Sequence, residues 1–186
     1  MLISVAEAVL LLDVVVFTAY VVDVLIRFGI PANLSITYYH YERQNHKYGN
    51  LFPALMVLVC CTTVPIWILT TWNGSLLARW FVAMPIITEF SLLFVAFSAR
   101  YKRRRKLIYY HYACAIVAAV CAVLWMCFVA NQIPLIALRI GLLLVCLSVG
   151  SLTHTLKSCT LFWLELAAFY SIFFTLFLIH SVPFDI

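Results

Sequence analysis

Six ionisable side chains, Asp13, Asp23, Glu89, His111, Arg139 and Glu165, stand inside long apolar runs. An ionisable group at membrane depth costs at least about 2.5–3.5 kcal/mol, so such groups face a bundle interior and have partners. Asp23 and Arg27 are spaced i,i+4, a local pair that satisfies both. Asp13 and Arg139 belong to different runs but fall at a similar depth, roughly 9–12 Å from one boundary at 1.5 Å of rise per residue. They form a candidate ion pair able to act as a charge relay. Glu89, His111 and Glu165 come from three further runs, roughly 6–15 Å from the opposite boundary by the same rise. Together with Ser35 and Thr37 of the long first loop they make a candidate polar cluster. Such a cluster either braces helices, as hydrogen-bonded polar groups do, or lines a site for a lipid headgroup, a proton or a metal. Carboxylate and imidazole are zinc ligands, but neither H-x-x-x-H nor H-E-x-x-H occurs. His111 and Cys114, at i,i+3, supply one helix face only. No metal ligand set and no cofactor is therefore assigned.

The elements that hold these residues follow from composition. Of 186 residues, 66% are hydrophobic and 10% charged, with a mean hydropathy of +1.08. A soluble domain is about 45–50% apolar and about 25% charged, so a soluble globular enzyme is excluded. Six stretches approach the roughly 20 apolar residues that cross a hydrocarbon core: about 5–28, 51–72, 76–99, 107–130, 133–151 and 159–181. They are continuous rather than alternating, which excludes a β-barrel and leaves helices, whose backbone groups are satisfied internally. The expectation is an all-α polytopic membrane protein, one six-helix transmembrane domain over residues 1–186. Ser4 and Glu7 form an S-x-x-E capping box at the start of the first span, and Gly29 and Pro31 end it. That span lacks a basic leader and a small-residue cleavage site and reads as retained. Pro65 and Pro85 predict kinks in spans two and three. The connections at Asn73–Ser75 and Asn131–Gln132 are tight, so spans two and three, and four and five, are expected to be antiparallel neighbours.

Charge sets the orientation. Residues 100–106 read RYKRRRK; placed in the cytoplasm, they bring Arg27, Arg43, Lys47 and Lys157 to the same side, ten basic residues in all, against Arg79 outside. Both termini then fall on the non-cytoplasmic side. The net charge of +5 is a topology signal and no nucleic-acid footprint. Arg103, Arg104, Arg105 and Lys106 lie flush with the membrane, where each basic residue near anionic headgroups contributes about 1 kcal/mol. Tyrosines in the first loop and beside the basic run, and Trp72 and Trp80 opposite, suit interfacial belts. The seven cysteines lie mostly in apolar runs and serve packing rather than disulfides. No P-loop, G-x-S-x-G, dinucleotide fingerprint or T-V-G-Y-G filter occurs, and no internal repeat suggests a transporter of inverted halves.

The stretch Pro31–Tyr39, PANLSITYY, with Gly49-Asn50-Leu51-Phe52, resembles the P-x-x-[LI]-S-x-T-Y-Y…G-x-L-F opening of a family of small, uncharacterised six-span membrane proteins of gut bacteria and their phages. Pro65-Ile66-Trp67, Tyr110-His111-Tyr112, Leu124-Trp125 and Phe162-Trp163-Leu164-Glu165 look like the same pattern, so the resemblance covers nearly the whole chain. It implies a bacterial inner-membrane protein and assigns no activity. More distantly, the Ser-containing loop and the His opening span four look like DRAM-type proteins and the ceramidase-and-receptor superfamily of membrane hydrolases. That superfamily gathers a Ser, an Asp and three His around zinc. Only Ser35 and His111 match here, Glu165 stands where a His pair belongs, and the chain is one span short. The leading expectation is a non-catalytic membrane protein that binds lipid or a membrane partner, a second copy of itself included, through the cytoplasmic-side cluster. The alternatives are a metal-dependent lipid hydrolase using Ser35, Glu89, His111 and Glu165, and a small proton-coupled carrier using Asp13 and Arg139.

Overall fold

The computed structural model describes residues 4–73, 79–99, 105–128 and 156–181. These residues are helical with no strand among them, in keeping with the all-α expectation. Six α-helices are described: α1 (Val5–Phe28), α2 (Thr37–Gln44), α3 (Leu51–Asn73), α4 (Ala83–Phe97), α5 (Arg105–Phe128) and α6 (Leu156–Ser181), with a 3-10 turn at Tyr48–Asn50 before α3. The fifth expected span, 133–151, and with it Arg139, lies outside the described residues. So do Arg103, Arg104 and the side chains of Arg105 and Lys106.

The capping box forms: Ser4 N–H donates to Glu7 Oε2 (2.6 Å) and Glu7 N–H donates to Ser4 Oγ (3.2 Å). α1 buries Leu10, Asp13, Phe17, Val21 and Val24, spaced three and four residues apart. Its opposite face is equally apolar, with Leu12, Val15 and Ile26 more than half exposed. The same holds for Phe90 and Phe97 on α4 and Ile116 on α5. A helix apolar all round is buried or sits in lipid, and these outward faces are not covered by protein. Four helical stretches, Val5–Phe28, Tyr48–Asn73, Leu107–Met126 and Leu161–His180, are long and apolar enough to cross a membrane. The protein is a multi-pass membrane protein.

Two sequence expectations change. The third span does not run from Leu76 and does not kink at Pro85. Residues 80–82 form a turn, and α4 begins at Ala83, so Pro85 sits in its first turn, where a missing N–H removes no intrahelical bond. At 15 residues, about 22 Å long, α4 is the shortest of the apolar helices. By contrast, Pro65 lies within an uninterrupted α3. The long first loop carries a short helix, α2. Asn33 Oδ1 accepts the Ile36 N–H (2.8 Å), Leu34 O accepts the Thr37 N–H (3.1 Å), and together these start the helix. Tyr38 then donates to Glu42 one turn on (3.0 Å).

α2 folds back against the end of α1. Thr37, Tyr38 and Tyr41 are buried; Phe28 stacks on His40 (ring centroids 5.2 Å apart) and meets Tyr41 edge-on (5.0 Å). Tyr41 OH donates to Asp23, which also holds Arg27 Nε at 2.6 Å, the expected i,i+4 pair. Burial first, and then this hydrogen bond, hold the Tyr41 phenol above its ordinary range, so it stays a donor. Gly49 makes the return possible: a Cβ there would come within 3.1 Å of Glu42 Cβ. α3 packs on α1 and α4, α4 on α5, and α6 on α1, α3 and α5. One core, around Phe17, Tyr38, Phe52, Met56, Val95 and Phe162, sits under α2. The other surrounds Trp67 and Trp125 at the far end, where the two indoles meet edge-on (5.1 Å) and Trp125 Nε1–H donates to Thr71 Oγ1 (2.8 Å).

Candidate functional site

Ser35, His111 and Ser98 form a hydrogen-bonded line beneath the loop that joins α1 to α2. Each comes from a different place in the fold. Ser35 lies in the turn before α2, Ser98 caps the end of α4, and His111 lies in the second turn of α5. His111 Nε2 is 3.0 Å from Ser35 Oγ, and His111 Nδ1 is 2.9 Å from Ser98 Oγ. All three residues are buried, none more than 5% exposed. Ser98 hydroxyl also reaches the Val95 carbonyl (3.3 Å), itself a hydrogen-bond partner of the His111 ring. The Ser35 hydroxyl donates to Asn33 Oδ1 at 2.9 Å. In the tautomer with Nε2 unprotonated, rotation about Cβ–Oγ turns the same proton from Asn33 to His111.

Glu165, on α6, joins the same loop by a main-chain contact: the Leu34 N–H donates to Glu165 Oε2 (2.6 Å). Thr37 hydroxyl donates to the Leu34 carbonyl and meets the Tyr20 hydroxyl of α1. Ser35 therefore braces the loop against α5 and Thr37 against α1, while Leu34 ties it to α6. The structure places Ser35, Thr37, His111 and Glu165 at one site. Glu89 stands elsewhere, half-buried on α4 in the electrostatic reach of Cys60 of α3.

A cavity of about 440 Å³ opens beside this line, within the roughly 300–1,000 Å³ of small-molecule sites. Its walls come from α3, α4, α5 and α6: Phe52, Met56, Leu92, Val95, Ala115, Ala118, Ala122, Met126 and Ile172 among others. Ser35 and Glu165 mark its polar end, and no Lys or Arg among the described residues lines it. Thr88, deeper along α4, also lines it, and its hydroxyl, 1% exposed, has no hydrogen-bond partner among the described residues. A buried hydroxyl left unpaired costs about 1–3 kcal/mol. Ala119, Val123 and Ala168, on α5 and α6, are exposed at its rim.

Asp13 finds partners on α3. Thr63 hydroxyl donates to Asp13 Oδ2 (2.7 Å), and Thr62 Oγ1 lies 2.8 Å from both carboxyl oxygens. Asp13 does not line the cavity. Its expected partner Arg139 is outside the described residues. Among the described residues no three His, Cys, Asp or Glu side chains converge as metal ligands, and Cys60, Cys61, Cys114 and Cys121 are free thiols.

Sequence reading missed Asn33, Thr88, Ser98 and the Thr62–Thr63 pair. A signal existed for the last: two adjacent hydroxyls in an apolar helix, about as far from Asn73 as Asp13 is from Ser4. None existed for Thr88 or Ser98, whose roles depend on distances across helices. No protein-family model, no curated protein and no solved structure matches the chain.

Proposed function

We propose that the protein binds a neutral amphipathic lipid, its apolar chain in the cavity between α3 and α6 and its polar part at Ser35 and Glu165. The cavity itself carries the reading: walls almost wholly apolar, one polar end, and a buried Thr88 hydroxyl without a partner among the described residues. An apolar chain suits the walls because burying it gains about 25 cal/mol per Å². An uncharged head of ester, amide or hydroxyl character suits the polar end, where the lining among the described residues offers hydroxyls and a carboxyl and no cation. The basic run Arg103, Arg104, Arg105 and Lys106 leads in sequence into α5, whose second turn carries His111, and the positive-inside bias favours the cytoplasmic side for it and for the first loop, in the bacterial inner membrane that the sequence resemblance implies.

Binding of a fluorescent monoacylglycerol ether to the purified full chain in nanodiscs tests this. Saturable binding is expected, reduced at least tenfold in Ala118→Phe, which fills the cavity, while helical circular dichroism is retained. Equal binding by the variant and the native chain, or none by the native chain, would overturn it.

A further inference from the structure

We propose that Ser35 is an acyl-transfer nucleophile and His111 its base, acting on the ester carbonyl of a neutral lipid held in the cavity. This rests on the lipid-binding reading above and adds a reaction to it. The carrying observation is the juxtaposition of a hydroxyl with an imidazole at a cavity wall: Ser35 Oγ is 3.0 Å from His111 Nε2, and Ser35 itself lines the cavity. A weak nucleophile needs an adjacent base held in position by a third group, and each part is present. Ser98 hydroxyl donates to the Val95 carbonyl (3.3 Å) and leaves its lone pairs for the His111 ring at Nδ1 (2.9 Å). In the tautomer with the proton on Nδ1, Nε2 is unprotonated and faces Ser35 as the base the step uses. Ser98 is a positioning residue, since it acts through the ring.

The step balances without metal or redox partner. Ser35 Oγ bonds to the ester carbonyl carbon as its proton passes to His111 Nε2. The tetrahedral adduct collapses with cleavage of the bond to the alcohol oxygen, and the departing alkoxide takes the proton from Nε2. The acyl group now rests on Ser35 as an ester. A water, or a second lipid alcohol, attacks that ester while His111 again accepts and returns the proton, releasing fatty acid or a new ester and regenerating Ser35. The second hydrogen-bond partner of Ser35, Asn33 Oδ1, holds the hydroxyl proton in the resting arrangement and yields it by rotation.

A long-chain alkyl fluorophosphonate tests the proposal on the native full chain in nanodiscs, with the labelled residue located by peptide mass spectrometry. Labelling at Ser35 is expected, slowed about 100-fold or more in His111→Gln, as for loss of a general base. Ser98→Ala should slow it and Ser98→Thr should restore it, a rescue that a mere packing role would not give. Each variant is compared at matched helical circular dichroism and elution. If the monoacylglycerol ether binds the native chain but Ser35 is not labelled, the nucleophile assignment fails and the binding reading stands. If neither binding nor labelling occurs, both fail. Labelling of Ser35 at the native rate in folded His111→Gln overturns the pairing.

Discussion

Neutral donors, hydroxyls and one main-chain N–H, hold the buried carboxyl groups Asp13 and Glu165. Asp13 is nearly sealed from solvent, and Thr63 gives it a hydrogen bond at 2.7 Å. Polar contacts between membrane helices average about 0.6 kcal/mol and reach about 1.7. Thr63→Val should therefore lower the unfolding free energy by an amount in that range, read as a reduced midpoint in detergent-titration unfolding; an unchanged midpoint would mean that Thr62 alone suffices. Glu165 offers a second case. Its Oε2 accepts the Leu34 N–H, a function the Gln carbonyl can repeat. Glu165→Gln should be tolerated within about 0.5 kcal/mol, whereas Glu165→Leu leaves a buried N–H unpaired and should cost about 1–3 kcal/mol. Equal thermal midpoints for the two variants would show that the main-chain bond is dispensable. At this scale the sequence was only partly readable. Ser35, Thr37, His111 and Glu165 stand out as polar residues in apolar company and do meet. Glu89 stands out equally and does not line the cavity, because depth along a helix says nothing about which face a side chain is on.

Among the elements, α2 is the one that apolar-run counting cannot see. Its sequence, TYYHYERQ, is too short and polar to register as a span, and its stability comes from the Asn33 turn and from Tyr38 and Tyr41 buried against neighbours. Its packing on the 3-10 turn depends on Gly49. A side chain there starts 3.1 Å from Glu42 Cβ, so Gly49→Val should push α2 away at a cost of about 1–3 kcal/mol. Faster tryptic cleavage at Arg43 and Lys47 would report it, and cleavage at the native rate would contradict it. The long helices were readable from hydropathy because lipid rewards the same residues inside and out: α1 runs Val5–Phe28, as expected, and α3 ends one residue later than expected. α4 differs because Pro85, counted only as a kink, fits the opening turn of a helix better than its middle.

For the whole molecule, the described helices put the two polar systems at opposite ends. The Ser35 site lies where α1, the end of α4, the second turn of α5 and the third turn of α6 come together. Arg79, stacked over Trp72 at 5.8 Å and donating to its carbonyl, marks the other end. Lys47→Cys and Arg79→Cys should accordingly react with a membrane-impermeant maleimide from opposite faces of sealed vesicles, Lys47→Cys from the cytoplasmic face. Reaction of both from one face would break the proposed orientation. The bond between Leu34 and Glu165 also spans 131 positions of sequence. A nascent chain carries the PANLSITYY turn out of the ribosome long before α6 follows. Until α6 arrives, the Leu34 amide lacks its acceptor and the cavity lacks one wall, so a polypeptide stalled before residue 156 has no means to complete the pocket.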